Sequence, residues 1–180
     1  MKKVLLMLTV AALFAACNNE KKEEATTAKT TGQAKADLKL AYVASYSSSF
    51  EMGKAAYAAT IVQGSWKDWE MNTMDNMKSW MADTIVAFQA DNIMVRGVDS
   101  MMARWKRGRT FYTTVIDTVQ AVIPVFSTDK KENWVLVWAK EINTSKEGKT
   151  DTINIMETWR MNKDGKADMV LQFDRANRKK

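Results

Sequence analysis

The chain has 180 residues, a formal charge of +6, 46% hydrophobic content and no histidine. That length and hydrophobicity suit one globular domain and exclude wholesale disorder. The lack of histidine excludes Ser-His and Cys-His catalytic sets, histidine general bases and histidine-bearing metal sites. With Cys17 the only cysteine, thiolate zinc sites are excluded as well, and no cofactor or metal is expected.

Lys2-Lys3 forms a charged start, and Val4–Phe14 is an apolar run too short to span a bilayer. Phe14-Ala15-Ala16-Cys17 follows, small residues leading to the chain's one cysteine. This resembles the lipobox of bacterial lipoproteins. The resemblance implies a signal peptide over residues 1–16 and acylation of Cys17, which anchors the chain to a membrane of the cell envelope. Asn18 is not the acidic residue associated with inner-membrane retention, so the outer membrane is expected. The stretch 17–36 has no aromatic residue and reads as a flexible tether. The basic residues are scattered apart from Arg104–Arg109 and the tail 176–180, and no nucleic-acid partner is expected.

The folded domain is expected over residues 37–175. Leu38, Leu40 and Tyr42 alternate as a short edge strand would. Ala55, Ala58, Ala59, Val62, Trp66 and Trp69 recur with helical spacing, and Gly64 among them suggests close packing. Asp75 is placed to cap a second short helix carrying Met77, Trp80 and Met81. Thr84–Phe88 and Ile93–Val95 read as a short hairpin turned at Asp91-Asn92. Gly97 precedes a third helix over Val98–Lys106, with Gly108 as its stop.

Four long strands close the chain: Tyr112–Phe126, Trp134–Ile142, Thr150–Met161 and Ala167–Phe173. Their connectors are short and polar, as in hairpins. The second is apolar on both faces, which predicts a central strand covered on both sides. In the first, Val115, Val119, Ala121 and Ile123 make the apolar stripe, interrupted by Asp117. In the third, Ile153, Ile155, Trp159 and Met161 make it, interrupted by Glu157. Helices first and strands last give an α+β class: N-terminal helices packed in a curved, mainly antiparallel sheet, forming a cone with an internal pocket.

This order, with Trp80–Val86, Val95–Ser100 and Glu157–Lys166, resembles the SnoaL-like branch of the nuclear-transport-factor-two-like superfamily. There an Ala-Asp closes the second helix, a Gly precedes the third, and an acid-x-aromatic-Arg motif with Asp-Gly-Lys marks the last hairpin. The resemblance implies a pocket at the open end of the cone and a homodimer formed through the sheet. That superfamily holds isomerases, cyclases, hydrolases and non-catalytic members, so the fold leaves the activity open.

Without histidine or a free cysteine, acid–base work falls to Asp117, Glu157, Asp83, Asp91, Tyr57 and Tyr112. Glu157 is the most pointed candidate, because a carboxylate on an apolar stripe has its pKa raised and can trade protons near neutrality. Asp117 follows the same logic. The structural alternatives are equally specific: a β-bulge would turn either acid outward, or Glu157 would hold Arg96, Arg104 or Arg109. Asp83 reads more simply as a helix-end or turn residue. Thirteen Met and seven Trp point to a core or a wide apolar cavity. Trp80, Trp105, Trp138, Trp159, Tyr57 and Phe88 are the expected lining of a pocket for a small apolar or amphipathic ligand. Three functions therefore stand: non-catalytic ligand binding, an acid–base isomerase or hydratase using Glu157 with Asp117, and a protein-interaction module of the envelope.

Overall fold

The computed structural model describes residues 41–176, with side chains to residue 175. The expected leader, Cys17, the expected tether, Leu38, Leu40 and the end of the basic tail lie outside the described residues. The chain divides after Tyr42, and the architecture below is that of the second unit.

A seven-stranded sheet in the order β1-β4-β5-β6-β7-β2-β3 carries the fold. Its body is the antiparallel run β4 (Tyr112–Ser127), β5 (Glu132–Ser145), β6 (Thr150–Met161) and β7 (Ala167–Ala176). The turns after β5 and β6 depend on Gly148 and Gly165, both at φ +76°, where a side chain would be strained. β1 (Phe50–Met52) pairs with the far end of β4 and forms one edge of the sheet. β2 (Met81–Phe88) adds to β7 in parallel, and β3 (Met94–Arg96) closes the order beside β2. The sheet is not closed into a barrel.

The helices cover one face of this sheet. α1 (Ala55–Ile61) passes without a break through the π-helical segment Val62–Lys67 into α2 (Asp68–Met71), which ends at the left-handed Asn72. A π turn holds more residues than an α turn, so it shifts the buried face. Ile61, Gly64, Ser65 and Trp66 are buried, whereas Val62 is only half-buried and Ala59 is exposed. A strict 3.6-residue stripe therefore misplaces the middle of this helix. A 3-10 turn over Met74–Asn76 leads to α3 (Met77–Trp80). Asp75 makes no capping bond there and instead pairs with Lys106. α4 (Val98–Arg109) runs past Gly108 and is not stopped by it. An added Cβ at Gly108 would meet the Trp69 ring at 3.6 Å, an ordinary van der Waals contact.

The core sits between helices and sheet. Trp159, Ile61, Met77, Met81, Met101, Val135 and Val137 are fully buried, and Trp80 meets Trp159 edge-on at 5.5 Å. On β5 the residues facing the helices are Val135, Val137, Ala139, Glu141 and Asn143, all buried. β5 is central, as its sequence suggests, but among the described residues helices cover only that one face. Leu136 and Trp138 stay half-buried on the other, near exposed Ile123. β4 breaks its register between Val119 and Ala121. Past that bulge Val122 and Pro124, opposite Val137 and Val135, take the helix side, and Ala121 and Ile123 turn outward.

Gly64 is the tightest helix–core contact. A Cβ there would lie 2.4 Å from Cε2 of Trp80. Gly64→Ala gains up to about 1 kcal/mol of helix propensity but overpacks the core at a cost of about 1–3 kcal/mol. The expected net result is lower stability in urea denaturation. Unchanged or higher stability would show that the Trp80 ring yields without cost.

Candidate functional site

The helices and the sheet leave a cavity of about 300 Å³ between them, partly open to solvent. The helical run supplies Ser65, Trp66 and Trp69. α4 supplies Arg104, Trp105, Arg107 and Gly108. The sheet supplies Glu141, Ile153, Ile155, Glu157, Gln172 and Asp174, with Gln89 and Phe111 completing the lining. Trp105 stands edge-on to both Trp69 and Trp159, each at 6.2 Å, which fixes the aromatic wall to the core behind it.

Glu157 lies in this cavity wall and is 3% exposed. Its Oε2 accepts from the Trp159 indole N–H at 2.8 Å and from Ser65 Oγ at 3.2 Å, and its Oε1 accepts from Gln172 Nε2 at 3.3 Å. The π segment is what brings Ser65 onto the sheet, so the local helix irregularity and the carboxylate position go together. Among the described residues no Lys or Arg forms a salt bridge with Glu157. Burial pushes its carboxyl up to about 7, against the hydrogen bonds from Trp159 and Ser65, which favour the charged form.

A second acid, Glu141, also lines the cavity and is 6% exposed. It accepts from Asn143 Nδ2 at 2.6 Å. The Trp69 indole N–H is near enough to favour its charge, yet makes no completed hydrogen bond among the described residues. Directly across the β4–β5 register stands Asp117, within hydrogen-bonding reach of Glu141. Both Asp117 oxygens are buried, and among the described residues no donor reaches them. Burial first, then the Glu141 charge, push Asp117 up to about 8; burial raises Glu141 too. Two carboxyls in such contact hold a proton between them.

Arg109, 7% exposed, favours the Glu141 charge. Its guanidinium donates to the carbonyls of Trp69, Tyr112 and Glu70 at 3.0, 3.0 and 3.2 Å, which satisfies the end of α2. Arg104 pairs with Asp91. None of the arginines expected as partners holds Glu157.

The residues picked from sequence scatter. Trp105 lines the cavity, and Phe88 lines an adjoining cleft of about 340 Å³ that shares Gln89, Gln172 and Asp174 with it. Trp80 and Trp159 are core, Trp138 is on the outer sheet face, and Tyr57 is half-buried near the Gly165 turn. None of those four lines the cavity. Asp83 is an exposed residue within β2, not at a helix end or turn, and Asp91 is in the turn before β3. Glu141, Trp66, Trp69 and Phe111 are among the lining residues that the sequence does not single out. The alternation Val135-Val137-Ala139, carried two residues further, marks Glu141.

No protein-family model matches the sequence, and no curated protein matches it. Solved structures do match in fold. An NTF2-like protein from Exiguobacterium sp. 255-15 aligns with a TM-score of 0.55 at 15% identity, over 64% of this chain and 98% of that one. The fold is NTF2-like. A SnoaL-like protein from Burkholderia thailandensis aligns at 0.51 and 14%, over 69% and 99%. An LEH-like epoxide hydrolase from M. tuberculosis aligns at 0.53 and 11%, over 67% and 84%. Identities this low establish the cone and leave its chemistry to its own residues.

The buried Glu157 makes this NTF2-like domain sensitive to pH. Its folded-state value lies above the ordinary 4.5, so between 4.5 and about 7 the folded chain keeps a proton that the unfolded chain releases. Stability contributed by that proton is fully present below the window and is lost as pH rises through it, by on the order of 3 kcal/mol. Glu157→Gln keeps the shape without the charge. It is expected to be more stable than the native chain at about pH 8 and to lose most of this pH dependence in urea titrations. Equal stability of the two chains at both ends of the window would refute the burial argument.

Proposed function

We propose that this NTF2-like domain binds a small amphipathic molecule in the cone, without catalysis, as part of a lipid-anchored protein of the bacterial envelope. The observation that supports the binding reading most is the cavity itself: about 300 Å³, walled by Trp66, Trp69 and Trp105, with Glu157 and Glu141 in the same lining. Ligand sites are typically apolar clefts with a few placed polar groups, and this one has that composition.

A small neutral amphiphile tests this. 1-Hexanol titrated into the full chain is expected to change tryptophan fluorescence saturably. Ile153→Trp, which fills the cavity from its half-buried wall, is expected to abolish the change while leaving the melting temperature within a few degrees. Saturable binding that survives the filled cavity would place the ligand elsewhere.

Acid–base catalysis is the second reading, favoured by a carboxyl held at about 7 in a cavity wall. Glu157 would be the proton acceptor there, with the Asp117–Glu141 pair behind it. The two readings part at Glu157→Gln. Under binding alone, the affinity for a neutral ligand changes only a few-fold; under catalysis, turnover is abolished.

The anchor and the dimer belong to the same proposal. Phe14-Ala15-Ala16-Cys17 supports the first. The second is supported by the outer sheet face, with Ile116, Ile123 and Phe173 at 49%, 37% and 58% exposure. Cys17→Ser is expected to leave the membrane fraction, and the released chain to sediment as a dimer that Trp138→Lys dissociates. Unchanged membrane fractionation would refute the anchor, and a monomer before the Trp138 change would refute the sheet-mediated dimer.

A further inference from the structure

We propose that the cavity selects a cation, a protonated amine or substituted ammonium, with its charge against Glu157 and Glu141 and its alkyl part among Trp66, Trp69 and Trp105. This rests on the ligand-binding reading above and names the class of ligand.

The geometry carries it in two independent ways. First, the cavity holds two carboxyl groups that are more than nine-tenths buried, and among the described residues neither forms a salt bridge. Buried carboxylates are ordinarily paired, so an unpaired pair in a cavity wall favours a visiting positive charge. Second, Trp66, Trp69, Trp105 and Phe111 set aromatic rings in the same lining, which suit a cation electrostatically and its methylene groups by burial.

The charges around the site agree. On α4, Arg104 is engaged by Asp91 and Arg109 by three backbone carbonyls, leaving Arg107 exposed at the rim. On α2, Glu70 is paired with Lys67 at 2.7 Å. On β4, Asp117 adds a further acid behind Glu141, and on β7 Asp174 adds one at the mouth. Gln172, Ser65 and Trp159, the neutral partners of Glu157, supply donors only, which favour the carboxylate without cancelling its charge. An anionic head would meet these buried acids, while of the two arginines in the lining Arg104 is held by Asp91 and Arg107 is exposed.

Three probes of one chain length decide the matter by calorimetry on the full chain: n-hexylamine, 1-hexanol and hexanoate. At about pH 8 the amine is expected to bind about tenfold tighter than either of the others. At about pH 5.5, where the amine stays protonated but Glu157 does not stay ionised, that preference is expected to vanish. Glu157→Gln is expected to bring the amine to the 1-hexanol level at pH 8, and Glu141→Gln to move it the same way. Should either variant fail to fold, the pH comparison on the native chain decides alone. 1-Hexanol or hexanoate binding as tightly as the amine at pH 8 would overturn the cation proposal and leave the ligand-binding reading standing. Absence of binding by all three would overturn both.

Discussion

The hydrogen bonds that hold the Glu157 carboxylate beneath the helices are the constraint on which this cone depends. Three elements converge on one group: the π-helical segment through Ser65, β6 through Trp159, and β7 through Gln172. Each donor is neutral, so the carboxylate is positioned without being neutralised. A buried charge in that condition is costly, and it is tolerable where one side opens to a cavity that water or a ligand can fill. The cavity and the acid are thus two aspects of one arrangement: if apolar side chains filled the space, Glu157 would lose the remaining access that its ionised form needs.

The helix irregularity follows from the same demand. An unbroken α-helix from Ala55 would carry its apolar stripe along Val62, Trp66 and Trp69, and would not bury Ser65 alongside Trp66. The π segment places Ser65 inward beside Trp66, and Gly64 lets the widened turn approach the Trp80 ring. Trp80, Trp159, Trp105 and Trp69 then touch in sequence, from core to cavity wall. Arg109 closes the far end by binding the last carbonyls of the helix. Because its donors are directed there, its positive charge reaches Glu141 only through space, and the cavity keeps its acidic character.

Much of the fold was legible because periodicity and turn chemistry are local. β6 occupies the residues its alternation predicts, and the Gly148 and Gly165 turns lie where the polar connectors place them. The concave face of β6 is also readable, since Ile155, Glu157, Trp159 and Met161 alternate and are all buried, whereas on β7 a register shift beside Met161 turns Val170 inward and leaves Phe173 exposed. What failed depended on register. The bulge in β4 after Val119 reverses the facing of Ala121 and Ile123, and nothing in those residues announces it. The same limit hid the site. Ser65 comes to Glu157 from a π turn that a regular helical stripe does not contain, and Glu141 lies at the end of an apolar strand. Its pairing with Asp117 is a cross-strand fact that neither strand contains alone.

That pairing also bears on how much charge the cavity holds. Glu141 and Asp117 face each other without a donor between them, so ionising both would place two negative charges in contact in a poorly solvated space. With Asp117 pushed up to about 8, the pair carries one negative charge near neutrality rather than two. Glu157, pushed up to about 7, carries part of another, and the nearby Glu141 charge helps to keep it from ionising fully. A cation entering between Glu157 and Glu141 would lower both costs at once, drawing a proton from Glu157 as it binds. An apolar molecule would do the reverse, displacing water and favouring the protonated acid. Proton release on binding therefore has opposite sign for the two ligand classes, and the sign is set by the acids in the wall rather than by the tryptophans, which accept either.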